Sequence, residues 1–471
     1  MRKRSVFGKI FTGALVLSLL LATAACGGKG NESKPSESTT ASPSASTPAG
    51  SQSRPDVKPV EIVAWDKPNP DDVDKDYREQ KYKDFEAAFP NIKVTHVMQT
   101  KGKEREQFLT AVAGGEQPDL INVAYPSMEA YIQQGILADI TDLWNQYPDK
   151  GNYLPGSLAT VTANGRIYGV PMNMYTTGLY YNKKIFKDAG LDPGKPPATW
   201  DEFVGAAKKT TDAAKGINGF DILGMDWADW HFEYYVWAAG GDLTTKRDDG
   251  SVDLNFTSDA TGAALQFYKD LKWTHRVTQK NVVQGFEDNL KDFYTGRAAM
   301  IVGASDHFGQ FIAKGLDPAD IGFMPFPAGP SGSAPAQVGG SNYVFSSKSS
   351  PEKLQAAFTY ATWLTSKETM QKDLQFYKDN GTLTNLLVVR SDIDLQKYIT
   401  DLPADIAEGI AKASANPHLE YFLKDRLSPY IVKPIQTILL DQKADPLTEL
   451  KKAQDLAQKE VADKYNADLK K

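Results

Sequence analysis

Asp226-Trp227-Ala228-Asp229-Trp230 puts two indoles and two carboxylates side by side at the start of a helical pattern, a poor place for buried apolar bulk. An indole offers a flat apolar plate and a carboxylate a fixed acceptor. Together they suit a ligand with weakly apolar faces and polar edges, such as a sugar. Trp65-Asp66 repeats the pairing where an alternating strand pattern ends. Ligands of open α/β folds lie beyond the carboxyl ends of strands. The same rule selects Tyr125 and Ser127 after the Leu120–Val123 run, and Asp306 after Ala298–Val302. Gly340, Ser341 and Asn342 form a small-residue loop that lets backbone groups approach a ligand. Each has a plainer reading: Trp65 as a lid on a core, Ser127 as a helix cap, Gly339–Asn342 as an ordinary turn.

Other chemistries find less support. Asp226 and Asp229 are acids of the kind a glycosidase pairs, but their loop spacing has no mechanistic signature. The five histidines make no His-Glu-x-x-His spacing, and no Gly-x-Ser-x-Gly elbow or phosphate loop occurs. Asp71-Asp72-Val73-Asp74-Lys75-Asp76 lacks the glycine of a calcium loop and reads as a solvated acidic segment. No metal and no cofactor is expected.

The elements that position these groups alternate. Val60–Trp65, Ile92–Val97 and Leu120–Val123 read as strands, separated by helical patterns around Tyr82–Phe89 and Phe108–Ala113. Leu179–Asn182, Ala298–Val302 and Ile321–Pro325 read as further strands. Trp200–Asp212, Trp230–Ala239 and Ala260–Trp273 read as helices, and the last third is mostly helical. This pattern predicts open α/β sheets, largely parallel.

The N-terminus carries Arg2, Lys3, Arg4 and Lys9, an apolar run from Ala14 to Ala22, then Thr23-Ala24-Ala25-Cys26. The run is too short to span a bilayer and has a signal-peptide layout. Cys26 is the only cysteine, so it cannot staple the fold. Residues 27–59 are rich in Gly, Ser, Thr and Pro and are expected to form a disordered tether. About 410 residues remain, more than one core usually organises. The formal charge is −6, and an acidic body without a basic stripe argues against nucleic acid.

Thr23–Cys26 resembles a bacterial lipobox, which implies diacylglycerol on Cys26; an ordinary secretory signal is the alternative. Along the body, Pro118-Asp119-Leu120-Ile121 with Gly135-Ile136-Leu137-Ala138-Asp139-Ile140, and Gly165–Pro171 with Leu179–Lys183, resemble carbohydrate-type extracellular solute-binding proteins of ABC importers. So do Thr199-Trp200-Asp201-Glu202-Phe203, Phe293–Met300 and Lys353–Ser366. The resemblance to this maltose-binding-protein-like family implies a two-lobed α/β periplasmic-binding-protein fold of type II. Its open sheets would be joined by crossing hinge strands, with the ligand cleft between the lobes. It places the signal peptide at residues 1–25, the lipidated cysteine and linker at 26–59, one lobe at 60–171 and 325–364, and the other at 172–324 and 365–471. The crossings are then expected near Met172, Met324 and Thr365.

The family resemblance adds Tyr175 as a cleft-facing residue (core packing being its rival), Trp230 as a stacking plate, and Arg426 and Tyr430 as further contacts. Many relatives carry a tryptophan where this chain has Asp306, which implies a polar contact instead. The implied role is capture of a sugar or oligosaccharide by lobe closure and delivery to permease subunits. The protein would be a monomer anchored through Cys26 on the outer face of the membrane or in the periplasm. A non-sugar solute, a secreted carbohydrate-active enzyme and a structural lipoprotein are the alternatives. So is ferric ion, since Tyr180-Tyr181 and Tyr234-Tyr235 are tyrosine pairs of the kind that ligate iron.

Overall fold

The computed structural model describes residues 59–67, 74–100, 103–225, 227–380, 387–399 and 402–469. The segments expected as signal peptide and tether through residue 58, Cys26 among them, positions 71–73 of the acidic segment and Asp226 lie outside the described residues. Among the described residues twelve strands follow in chain order. They are β1 Val60–Asp66, β2 Ile92–Met98, β3 Leu120–Ala124, β4 Thr162–Ala163, β5 Arg166–Ile167, β6 Gly169–Asn182, β7 Thr244–Lys246, β8 Val252–Leu254, β9 Met300–Ala304, β10 Ile321–Met324, β11 Ala336–Phe345 and β12 Pro417–His418. Among the described residues no helix is long and apolar enough to cross a membrane.

Alternation makes β1 a strand: Ile62 and Ala64 are buried, and β2 and β3 flank it in parallel. The helix Lys75–Ala88 covers it by burying Phe85. Beyond these three strands the parallel expectation fails. The main sheet runs β10-β6-β11-β3-β1-β2, and β10/β6, β6/β11, β11/β3 and β6/β9 are all antiparallel. The cause is β6, fourteen residues long where only Leu179–Asn182 reads as strand in the sequence. Its first half pairs with β11 and its second half with β9 and β10, so one strand serves two layers.

The Gly339–Asn342 loop is likewise a correction, because these residues lie inside β11: all four pair with β6, and Ser341 and Asn342 pair with β3 as well. A Cβ on Gly339 would sit 2.4 Å from the Tyr175 ring, and one on Gly340 2.1 Å from the Asn173 carbonyl oxygen. Glycine is needed here for close approach of the two strands, not for a turn.

The buried apolar side chains divide into four clusters. Two draw on residues 62–170 and 343–389. The other two draw on residues 179–336 and 406–465. The first passage between them follows β6, where Met174 packs on one side and Tyr175 on the other. The second and third passages come later than Met324 and Thr365. Phe326 and Ala336 still pack with the second set, and the chain crosses along β11 before Tyr343. The helix Lys367–Asp379 stays with the first set: Phe376 stacks on Tyr77 at 4.0 Å, and Met370 packs nearby. Toward its return the chain touches both sets: Leu387 packs with the second, Val389 with the first, and Ile399 with the second. An extended strand paired on both edges can carry a crossing, whereas the end of an amphipathic helix whose apolar face is already spoken for cannot.

Local signals hold well at helix starts. Thr199 Oγ1 accepts from Glu202 N, while Glu202 Oε2 accepts from Ala198 N, a reciprocal cap that sets the start of Trp200–Thr210. The Ala228–Ala238 helix differs: all eleven of its residues are buried, so it carries no apolar stripe.

Candidate ligand site

Two helix starts converge with β6 and β11 where the two sets of clusters meet. Both begin on a non-glycine residue in the left-handed region: Trp227, φ 65°, before Ala228–Ala238, and Leu423, φ 60°, before Lys424–Leu440. Such backbone costs on the order of 1 kcal/mol or more and persists only where surrounding packing enforces it. The turn leaves the Trp227 side chain 56 % exposed and T-shaped against Phe286.

Behind Trp227, the Ala228–Ala238 helix presents Asp229, Trp230 and Glu233 on one face, three and four residues apart. Asp229 accepts from Tyr421 Oη at 2.6 Å, and Glu233 Oε2 from Tyr421 N at 3.3 Å. Lys424 bonds Glu420 and stands 4.0 Å from Glu233. Burial pushes the Glu233 and Glu420 carboxyls upward against the pull of Lys424. Burial also works to lower the Lys424 ammonium, but Glu420, Glu233 and Asp229 outweigh it and hold the lysine charged. Trp230 Nε1 and Tyr234 Oη both donate to Gln337 Oε1 on β11.

Facing this group from the other side is Tyr125, in the short 3-10 turn Tyr125–Ser127. Its turn reaches the opposite set through Ser127 Oγ on Asp425, the residue after Lys424, and its hydroxyl pKa is raised by burial and then by the charges of Glu420, Glu129 and Glu233. Tyr175 on β6 is raised by burial, then by Glu420 and Asp306. Asp306 precedes the helix His307–Ala313 and keeps Oδ1 buried without a partner. His307 Nδ1 accepts from Ala304 N, and buried His231 is pushed down to about 3 by burial and then by His307, so it is neutral.

Bonds and strand pairing thus bring Asp229 to Tyr421, Trp230 to Gln337 and Tyr175 against Gly339, two residues from Gln337, with Trp227 exposed at the start of the same helix as Trp230. Ser127 does not cap a helix. Its Oγ donates to Asp425 Oδ2 at 2.7 Å, an oxygen that Arg105 Nε also reaches at 3.2 Å. Lys246 with Glu129 and Tyr465 with Gln133 bridge the same two sides.

Other residues are spent elsewhere. Trp65 packs against the cluster around Phe108 and Tyr131, the core-lid reading. Asp66 Oδ2 accepts from Tyr82 Oη at 3.1 Å and bonds His96 Nδ1 at 2.8 Å. Tyr430 turns outward to Glu460, and Arg426 lies over the Tyr465 ring. Gly340 and Ser341 serve strand pairing, with Ser341 N donating to Asn173 Oδ1 at 2.8 Å. Asn342 Oδ1 accepts from Thr160, and its Nδ2 is buried without a partner. The tyrosine pairs are also engaged: Tyr180 Oη donates to Ala304 O, Tyr181 Oη to Pro193 O, and Tyr235 packs on Tyr268 and Phe326.

Sequence reasoning missed Glu233, Gln337, Glu420, Tyr421 and Lys424. Glu233 was available as the residue four after Asp229 on a helix. Glu420–Lys424 lie in a stretch with weak periodicity, and only the fold brings them to Asp229.

Comparison with known proteins now bears on this geometry. Residues 67–371 match the family of bacterial extracellular solute-binding proteins. An ABC transporter extracellular-binding protein of Pyrococcus horikoshii is 28% identical over 338 residues, 70% of this chain and 70% of the relative. The diacetylchitobiose binding protein of Streptomyces coelicolor is 27% identical over 63% of this chain and 68% of its own length. An ABC transporter solute-binding protein of Thermotoga lettingae, solved with α-D-tagatose, superposes with a TM-score of 0.69 at 26% identity, covering 85% of this chain and 99% of that one.

Proposed function

The chain belongs to the bacterial extracellular solute-binding protein family, and from that premise we propose that it captures a saccharide by lobe closure and hands it to an ABC importer permease. One observation carries the reading. Aromatic plates and fixed polar groups from both sides, Tyr125 from one and Trp230, Asp229 and Gln337 from the other, converge where the chain passes between its two packed bodies. Plates cover sugar CH faces, and buried polar groups discriminate by their hydrogen bonds. Relatives named for diacetylchitobiose and solved with tagatose agree with that chemistry.

The lobes we propose are residues 60–174 with 343–389, and 175–336 with 399–469, following the packed clusters. Ser127 and Arg105 on Asp425, with Lys246 on Glu129, would then hold the closed form. A ligand shifts such an equilibrium only by binding the closed form better. The protein binds without transforming its ligand and acts as a monomer. Its bonded tyrosine pairs do not favour ferric ion, so a non-sugar organic solute is the main alternative. Acylation of Cys26 would keep the body beside its importer on the outer membrane face or in the periplasm.

A thermal-shift panel of mono- and oligosaccharides tests the reading, since binding raises the melting temperature by mass action. At least one saccharide should raise it, and small-angle scattering should show compaction with that sugar. No shift with any saccharide, alongside a shift with a non-carbohydrate solute, would reject the sugar assignment.

A further inference from the structure

Asp229, Glu233 and Glu420 are three buried carboxylates around a single ammonium, Lys424. Each retains one buried oxygen that has no hydrogen-bond donor among the described residues: Asp229 Oδ1, Glu233 Oε1 and Glu420 Oε2. Buried acceptors without donors are rare and destabilising, and ionised ones more so. Lys424 cannot serve all three. It is committed to Glu420 and remains 4.0 Å from Glu233.

A second feature at the same locus also lacks a partner. Gln337 is fully buried, its Oε1 takes both Trp230 and Tyr234, and its Nε2 has no well-aligned acceptor among the described residues, the Tyr175 hydroxyl being the one group it is left with. A buried group of acids short of donors, near an amide without a well-aligned acceptor, calls for a ligand carrying several N–H donors, a positive charge and at least one acceptor oxygen.

We propose that the saccharide bears a primary amine, and that Asp229, Glu233 and Glu420 hold its ammonium while Gln337 donates to a neighbouring hydroxyl oxygen. An ammonium has three N–H donors and no acceptor, one for each orphan carboxylate oxygen. Burial pushes the Glu233 and Glu420 carboxyls upward, and a bound ammonium would stabilise them as carboxylates. Hydroxyl groups of a neutral sugar could donate to the same oxygens, but they would bring no charge to stabilise the ionised form. Charge-assisted hydrogen bonds are roughly twice as strong as neutral ones.

This inference rests on the saccharide-binding reading, and the test separates the two. Titration calorimetry of the full protein at pH 7 would use three β-1,4-linked disaccharides of one shape: that of glucosamine, that of N-acetylglucosamine and that of glucose. The glucosamine disaccharide is expected to bind about tenfold or more tightly than the other two, one charged hydrogen bond's worth. Glu233→Gln should bring the three within about threefold of one another, a loss of the same order. Equal or tighter binding of a neutral disaccharide would overturn the amine assignment and leave sugar binding intact. Failure of all three, and of the wider saccharide panel, would overturn both. The wild-type comparison stands even where the variant folds poorly.

Discussion

Asp425 is where closure can be tested most directly. One of its oxygens takes Ser127 Oγ at 2.7 Å and Arg105 Nε at 3.2 Å, both from the opposite side of the cleft. A hydrogen bond to a charged group contributes about 1.5–3 kcal/mol when sheltered, and an exposed ion pair less than about 1 kcal/mol. Side-chain exposure is 22 % at Asp425 and 46 % at Arg105, so the pair deserves a screening discount and the hydrogen bond the low end of its range. Asp425→Ala should then remove about 2 kcal/mol of bias toward the closed form, close to a 30-fold change in that equilibrium. The readout is the affinity for whichever saccharide the thermal-shift panel identifies, measured by calorimetry and stopped flow. Affinity should fall by up to about 30-fold, mainly through faster release. Ser127→Ala should cost most of this and be insensitive to salt, whereas Arg105→Ala should cost little and lose its effect at high ionic strength. Unchanged affinity in Asp425→Ala, within about twofold, would refute the idea that these bridges favour the bound geometry.

Further outcomes follow from the same structure. Arg390 is fully buried, pairs with Asp149 at 2.7 Å and Asp392 at 2.9 Å, and donates to Thr365 O. Arg390→Ala should lower stability by about 3–5 kcal/mol in urea denaturation, because two carboxylates lose their common partner. Gly340→Ala should cost about 1–3 kcal/mol or prevent folding, since its Cβ would meet the Asn173 carbonyl oxygen at 2.1 Å. Asp221 is raised to about 8 by burial and then by Asp292. The folded state therefore holds a proton that the unfolded chain releases near pH 4, so stability should fall as pH rises from about 4 to about 8. Asp221→Asn should flatten that decline in melting curves, and an unchanged slope would count against the assignment. Cys26→Ala should release the protein from membranes into the soluble fraction, as read by fractionation and blotting, if Cys26 carries lipid.

How much of this was legible in the sequence follows the range of the forces involved. Strands β1 and β2 rest on alternation, β3 and the strand at Met300–Ala304 on short apolar runs, and the helix from Trp200 on neighbours three or four residues apart, all visible locally. The indole and acid of Trp230 and Asp229 were equally visible, because polar and aromatic groups crowd a helix start. Trp65 and Asp66 looked the same by type and position, yet one lies against a core and the other is held by Tyr82 and His96. Type and spacing state what a side chain could bond, not which partner arrives first.

What only the tertiary structure decided depends on segments far apart in the chain. Lys424 meets Glu233 across 191 positions of sequence and Gln337 meets Trp230 across 107, so no local window contains either pair. The crossings moved for a related reason. A strand such as β11 earns its place by pairing on both edges, and Gly339 and Gly340 read as a turn until Tyr175 and Asn173 lie against them. The sequence alone determined the class of the fold and the solute-binding role. The three-dimensional packing decided which acids share one lysine.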